Sequence, residues 1–412
     1  MNDTPSAQNF DIVIVGAGPA GLCLARALSG SGLRLAVVDP QSREALAEPA
    51  FDGREIALNH ATMNTLSRLG IWQRIDEADR HPLRDAMVCN EDDASPLHIE
   101  HGDAGLDMLG CLVSNHVIRR AAFEAVADCA DVSWFDERRV EQFSAGQNAA
   151  CVQLDDGASL TAALVVAADG RFSALRRAAG IVTRVHDYGR SMLLARVTLE
   201  RPHGQVAREW FRHGQTLALL PLNGQRASVV MTLPEPEIAR LASVEPEAFN
   251  REVTARYKQI MGEMSLISER LTYPLAGVYP ERFVSRRLVL AGDAAVGMHP
   301  VTAHGFNLGV RGVDELAWRL REAHEAGRDI GASVVLKGYD RAHRRHTLPL
   351  YLATDAIVRL YTDDRGPART LRSLGLRLAS SLPPVRRAIA ASLADEDAPG
   401  TLRRILLGRQ NI

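Results

Sequence analysis

Early in the chain the glycines of Gly16-Ala17-Gly18-Pro19-Ala20-Gly21 follow directly on the apolar stretch Ile12 to Val15, and Leu22 to Leu28 then takes a helical pattern. A second apolar stretch, Leu35 to Val38, ends in Asp39. Strand, GxGxxG turn, helix and a second strand closed by an acid compose a βαβ unit suited to gripping a dinucleotide. Gly16 permits the tight turn, Gly18 lets backbone approach a pyrophosphate, and Gly21 lets helix and strand pack closely. The helix N-terminus adds amide donors and the positive end of its dipole. Asp39 can then bind ribose hydroxyls. The alternative is a glycine turn in a structural βαβ unit with Asp39 as a helix cap. This motif does not choose between nicotinamide and flavin dinucleotides.

Two later segments carry more candidates. Leu164 to Ala168 reads as an apolar strand running into Asp169-Gly170-Arg171-Phe172-Ser173, with Arg176 just beyond. Leu288 to Ala291 is another, running into Gly292-Asp293-Ala294-Ala295 and then His299-Pro300-Val301-Thr302-Ala303-His304-Gly305-Phe306-Asn307-Leu308-Gly309. Val313, Leu316, Ala317 and Leu320 repeat at i, i+3, i+4 and i+7, so a helix starts near Phe306. Its free amides, near Asn307 and Leu308, would face a ligand. Asp169 and Arg176 read equally as an ordinary cap and a surface charge, Asn307 as a helix-start residue and Gly305 as a turn. Arg54, between small-residue turns, can reach a phosphate or polyol oxygen, or be a solvated arginine. Asn115 follows Ser114 at a helix start, where capping accounts for it.

In this order and at roughly these separations, the GxGxxG, Asp-Gly and Gly-Asp segments resemble the FAD-dependent aromatic hydroxylases of the para-hydroxybenzoate hydroxylase fold, and within them the ubiquinone-biosynthesis hydroxylases. The resemblance extends through Asp52-Gly53-Arg54, Ala57-Leu58, Leu69-Gly70-Ile71-Trp72, the Asn115 segment, Leu219-Leu220-Pro221-Leu222, Ala353-Thr354-Asp355 and Arg359-Leu360. Most relatives read Gly-Asp-Ala-Ala-His and Ala-Gly-Gln-Gly where this sequence has Val296 and Thr302-Ala303-His304-Gly305. That departure resembles a minor branch linked to demethoxyubiquinol 5-hydroxylation.

The resemblance implies an α/β chain in which a Rossmann-like FAD-binding domain (1–75, 105–185 and 276–330) is interleaved with a β-sheet substrate domain (76–104 and 186–275), followed by a helical C-terminus (331–412). It implies a monooxygenase in which reduced FAD and O2 form a C4a-hydroperoxide that hydroxylates a polyprenyl phenol or quinol, with NAD(P)H as transient donor. The cofactor residues it implies are Gly16, Gly18, Gly21, Asp39, Arg54, Asn115, Asp169, Gly292, Asp293, Pro300, Gly305, Asn307 and Leu308. Asp293 would hold the ribityl chain, Asp169 would support the pyrophosphate, and Pro300 would lie beside the ring. The helix start after Gly305 would stabilise negative charge on reduced flavin. No acid or base is assigned; His304, standing where relatives have glutamine, is the catalytic candidate, with a structural histidine as the alternative. A flavin oxidase or reductase, a hydroxylase of another hydrophobic aromatic, or a non-catalytic flavin-bound scaffold would keep the same motifs.

The elements that position these residues need a large core, and a chain of 412 residues that is 46% hydrophobic and 24% charged can bury one. A net charge of −2 with both signs interspersed argues against a nucleic-acid partner. Residues 186–275 alternate as strands do in Met192 to Leu199, Thr216 to Leu220 and Ala227 to Leu233. One GxGxxG leaves no second Rossmann domain to store NADPH. Five dispersed cysteines exclude CxxC redox or metal chemistry, and His299 and His304 have no companion ligands for a metal. The start of the chain lacks a signal-peptide pattern, and the expected compartment is the cytoplasm. From Arg365 onward nine arginines face three acids. Leu371, Leu374, Leu378 and Leu382 share one helical face, and Val385, Ile389 and Leu393 another. Such basic helices suit peripheral contact with the inner membrane or with other ubiquinone-biosynthesis proteins, or plain packing on the body with a solvated face. His343 and His346 are expected on a solvated, arginine-rich helix face.

Overall fold

The structure is a computed structural model that describes residues 8–90, 96–212, 214–362 and 381–394. The first apolar run forms the strand Gln8–Val15, whose Ile12, Val13 and Ile14 have no solvent exposure. It lies between two parallel strands, Leu35–Val38 and Ser159–Ala167. Ser159–Ala167 pairs in parallel with Leu288–Leu290 on its other side, and Val132–Phe135 extends the opposite edge beyond Leu35–Val38. Strands buried on both faces read as continuous apolar runs, which is what Ile12 to Val15, Leu35–Val38, Leu164 to Ala167 and Leu288–Leu290 show. The helices Pro19–Leu28 and Gly305–Glu325 pack on this sheet and on each other. The result is a mixed α/β architecture.

A second sheet of eight strands among the described residues is built differently. In order it runs Met264–Leu266, Thr183–Leu199, Arg226–Leu233, Gln215–Pro221, Val206–Arg212, Asp85–Asn90 and Leu97–Ile99, with Leu271–Pro280 also pairing to Thr183–Leu199. All its pairings are antiparallel except that of Val206–Arg212 with Asp85–Asn90. Its alternating sequence puts Leu193, Trp210, Leu217, Leu219, Val229 and Met231 against Phe249, Val253 and Tyr257. Ile238 and Leu241, of the helix Glu235–Ser243, join the same cluster. The opposite face of the sheet is left to line a cavity.

A small sheet of Glu55–Leu58, Gly110–Ser114 and His81–Leu83 stands between the two large ones. It is fastened to the second sheet by one buried ion pair. Arg196 donates from Nε and Nη2 to Glu55 Oε1 at 2.9 and 2.7 Å, and Ser114 Oγ donates to the other carboxylate oxygen at 2.8 Å. The Glu55 side chain has 0% exposure, so this network satisfies a carboxylate that water cannot reach.

The C-terminal region is helical where it is described. Ser333–Thr362 is one long helix, but its His343 is not on a solvated face as expected. That side chain is buried, stacked on Tyr339 at 5.3 Å and close to Phe283 at 5.1 Å. Arginine-rich sequence hid a face packed on the core. Gly312 provides the room, since a Cβ there would lie 2.5 Å from the His343 ring. In the helix Pro383–Ala394, Ala390 and Ala394, with Ile389 and Leu393, pack on Leu97, Ile99 and Leu109, and Arg386 pairs with Asp103 at 2.7 Å. The apolar face of this helix is thus packed on the body. Leu371, Leu374 and Leu378, and every tail arginine except Arg386 and Arg387, lie outside the described residues.

Arg196→Met strands the Glu55 carboxylate, and we expect it to cost about 3–5 kcal/mol of unfolding free energy in urea titrations. Adding Glu55→Leu should restore most of that loss. An Arg196→Met protein as stable as the parent would show that the pair does not hold the sheets together.

Candidate active site

The three motifs meet because their strands are neighbours, and the glycines show how tightly. Gly16 has φ +110°, and a Cβ there would sit 2.3 Å from the Ala168 carbonyl oxygen; one on Gly21 would sit 1.9 Å from the Gly16 oxygen. Both positions admit glycine for reasons of backbone packing. Gly18 is different: a Cβ on it would meet nothing within 4 Å, and it is the N-cap of Pro19–Leu28 with no side chain capping that end. Backbone and dipole are therefore presented to open space, as a pyrophosphate requires. Asp39 is not the cap of the next helix, a task taken by Ser42. Its carboxylate accepts the amides of Ala17 at 2.7 Å and Gln41 at 2.9 Å, which fixes the glycine loop while the residue lines the same cavity.

Asp169 accepts the amides of Ala174 and Leu175 through Oδ2 at 2.8 and 3.3 Å, satisfying first-turn amides of the helix Ala174–Ala178, whose N-cap is Ser173. The other Asp169 oxygen, Oδ1, is buried without a hydrogen bond. Arg176 is no surface charge. It is 3% exposed and donates to the carbonyls of Ala294 and Arg171, each at 2.8 Å, tying the Asp-Gly segment to the Gly-Asp segment. Sequence reading gave no role to Arg171, which is the larger brace. It donates to the carbonyl of Ala276 on the second sheet at 2.8 Å, and its Nη2 lies 3.4 Å from both Asp293 Oδ2 and the Met298 oxygen. Asp293 stands half-exposed on the turn after Leu288–Leu290. The neighbouring Gly292, at φ +57°, leaves room for Ala20, whose Cβ would be 2.6 Å from a Cβ there.

Arg54 lines the cavity paired with Asp52, and the guanidinium sits 5.8 Å from the Tyr273 ring centroid. Asn115 does not cap its helix: Ser114 is the N-cap, and Asn115 Nδ2 donates to Asp52 Oδ2 at 2.7 Å. Asp52 thus orients both candidates, a link no spacing rule exposes. The helix predicted near Phe306 begins at Gly305. Asn307 bonds Asn59 N, the Ala57 oxygen and the Ala303 oxygen, which locks the helix start onto the strand Glu55–Leu58. Leu308 corrects the expectation of a free amide, since its N–H donates to the His304 oxygen at 2.9 Å and its side chain is in the core. Pro300 opens the turn Pro300–Thr302, which Thr302 ties to Thr354 at 3.0 Å. Gly305 also lines the cavity, and a Cβ there would meet nothing within 4 Å.

Two histidines sit beside this turn. His299 is buried, accepts the Val301 amide at 3.2 Å and meets the Tyr188 ring edge-on at 4.8 Å. Burial, with a smaller contribution from the Arg171 charge, pulls its pKa down to about 4. His304 faces the cavity with neither ring nitrogen in a hydrogen bond of good geometry, and burial lowers its pKa as well. Both rings are neutral at pH 7.

These residues surround one continuous cavity of about 1540 Å³, against roughly 300–1,000 Å³ for the pocket of a drug-sized ligand. It runs from the glycine loop and Asp39, past Asp293 and Pro300, to the face of the second sheet. The open Gly18, the unpartnered Asp169 Oδ1 and the His304 ring in the lining fit a bound dinucleotide with a second ligand beyond it. Fold and site together define a flavoprotein. The chain belongs to the family described as FAD binding domain, whose profile matches residues 9–346. It is 42% identical over 387 residues, 93% of this chain and 84% of the relative, to ubiquinone hydroxylase UbiM of Neisseria meningitidis. It is 33% identical to ubiquinone hydroxylase UbiL of Rhodospirillum rubrum, over 95% of this chain and 90% of that one. In fold it is similar to p-nitrophenol 4-monooxygenase PnpA of Pseudomonas putida, with TM-score 0.77 at 18% identity over 98% of this chain and 100% of that one. The protein is an FAD-dependent monooxygenase, with O2 and NAD(P)H as its further reactants.

The glycines make a paired prediction. Gly18→Ala should leave the melting temperature unchanged and weaken FAD binding about tenfold, equivalent to about 1.4 kcal/mol. Gly21→Ala should fail to give folded protein. Full flavin absorbance in the Gly18→Ala protein would remove that residue from the phosphate site. A second prediction concerns acid. His299 titrates lower in the folded chain than unfolded, so the unfolded chain binds the extra proton and stability falls as pH drops from about 6.5 to about 4. The loss should approach 3 kcal/mol. His299→Gln should flatten that slope in denaturation at stepped pH.

Proposed function

We propose that this monooxygenase hydroxylates the aromatic ring of a polyprenyl phenol or quinol on the route to ubiquinone, with demethoxyubiquinol 5-hydroxylation as the particular step. The observation that carries this reading is the continuity of the cavity from the glycine loop to an apolar wall. Leu83, Ala86, Val88, Leu97, Ile99 and Leu220 belong to that lining, and Ile389 and Leu393 of the C-terminal helix close over it. A lipophilic substrate needs such a wall, and the ubiquinone hydroxylases similar to this chain supply its chemical class.

Bound FAD supplies the oxygen-activating chemistry, and the chain's work is to bind, orient and exclude water. In this assignment Gly16, Gly18 and Gly21 shape the pyrophosphate cradle, Asp39 serves the ribose and Arg54 a phosphate or ribityl oxygen. Asn115 acts through Asp52. Asp169 and Gly292 support the pyrophosphate side, and Asp293 takes the ribityl hydroxyls. Pro300 and Gly305 bound the ring, while Asn307 and Leu308 hold the helix start whose dipole favours negative charge there. His304, neutral and with only the Ser392 and Thr302 backbones against its ring, offers a nitrogen to the flavin or to the substrate. Residues 76–104 and 186–275 form the substrate side, and the remainder through residue 330 the FAD side. Residues 331–412 are the C-terminal region, helical over Ser333–Thr362 and Pro383–Ala394, and its basic segments meet the inner membrane from the cytoplasm, or another ubiquinone-biosynthesis protein. No helix among the described residues is long and apolar enough to cross a membrane.

Turnover under 18O2 tests the reaction class. One labelled oxygen per ring is the expected product, and a product oxidised without label would mean a flavin oxidase or reductase instead. A lipid-quinone profile of cells lacking the gene tests the pathway, because a precursor short of one ring oxygen should accumulate.

A further inference from the structure

We propose that Glu209 is the polar anchor of the substrate compartment, its carboxyl holding the hydroxyl of the aromatic ring by a hydrogen bond. This rests on the aromatic-substrate reading above and adds a specific contact to it. Along Val206–Arg212 Trp210 turns to the helical side, meeting Tyr257 at 5.4 Å, whereas Ala207, Glu209 and Phe211 line the cavity, as does Arg208, whose guanidinium is turned back onto the His203 and Val206 carbonyls. Glu209 pairs with Val88 on one neighbouring strand and Ala218 on the other; Val230 and then Leu194 continue the row. The acid thus sits in an apolar wall.

Its neighbours give the carboxyl nothing to do. Among the described residues no ion pair or hydrogen bond engages it, and burial alone raises its pKa to about 8. Glu209 itself is half-buried, and the other acids of this region are occupied: Glu55 by Arg196 and Ser114, and Asp85 by His101 and Arg84. An uncompensated acid inside an apolar cavity costs stability. Glu209 therefore contributes no visible structural bond and opens on the space where the substrate belongs. Predominantly protonated at pH 7, it can accept from a phenol O–H and donate to an oxygen beside it.

The test uses the full-length, FAD-loaded protein with two probes, 2-geranylphenol and its methyl ether, titrated through their effect on the flavin spectrum. A site built to bond a hydroxyl discriminates against the analogue that lacks it. The parent should bind the phenol about tenfold more tightly than the ether. Glu209→Leu should erase this preference and release more H2O2 per NAD(P)H consumed, with flavin content unchanged. Glu209→Gln, which keeps hydrogen-bonding atoms, should retain part of the preference. An undiminished preference in Glu209→Leu would overturn the assignment while leaving the aromatic-substrate reading intact. A parent protein that binds FAD but neither probe would overturn both.

Discussion

The site depends on one register. Val15 lies opposite Ala167, and Ala167 lies opposite Leu290, so the ends of three adjacent parallel strands are level. From those ends leave the glycine loop, the Asp-Gly segment and the Gly-Asp segment, which are far apart in sequence and side by side in space. In open parallel sheets ligands bind outside the carboxyl ends of the strands. The approach is so close that Gly16 could not carry a side chain without meeting the Ala168 carbonyl. Displacing any of the three strands would scatter the loops, whatever residues they contain.

A sheet end makes half a site, and the other half must be held at a fixed distance from it. Two arginines do much of this. Arg196 reaches from the second sheet to Glu55, and Arg171 reaches from the first sheet's loops to the Ala276 carbonyl of the second. Their bonds are directional and cross between layers, so they set position where apolar packing alone would allow sliding. Arg171 also faces Asp293, so the connector between sheets orients one of the acids assigned to the cofactor.

The centre of the first sheet was legible in the sequence because its strands are continuous apolar runs, three of them ended by a glycine-containing turn, whereas the edge strand Val132–Phe135, with Ser133 exposed, gave no such signal. Leu35–Val38 has the predicted bounds, and Gly305–Glu325 begins one residue before the position expected from its helical periodicity. What stayed hidden was any pairing across the chain. Asp52 holding Asn115, Arg176 bracing Ala294 and Asn307 gripping the Ala57 carbonyl join residues whose spacing encodes no contact. His343 was misjudged because the arginines beside it suggested solvent, whereas one helix can be basic on one side and packed on the other. Glu209 was invisible for a related reason: an acid in an alternating strand reads as the exposed side, and only the second layer turns that side into a cavity wall.

The buried polar groups therefore divide by what satisfies them. Glu55, Asp85 and Arg176 are bonded to the protein itself and belong to its architecture. Asp169 Oδ1 and the half-buried Glu209 carboxyl are not, and His304 has only the Ser392 and Thr302 backbones against its ring, although all three residues line one cavity. Burying such groups without partners costs more than burying apolar ones, so in the folded chain alone they are a net loss. That loss is recovered when a ligand supplies the missing bonds. Their distribution along the cavity, with Asp169 beside the glycine loop, His304 at the turn and Glu209 on the far wall, matches a dinucleotide meeting a second, mostly apolar molecule. The cofactor brings the reactivity, and these unfilled bonds set where the second molecule lies against it.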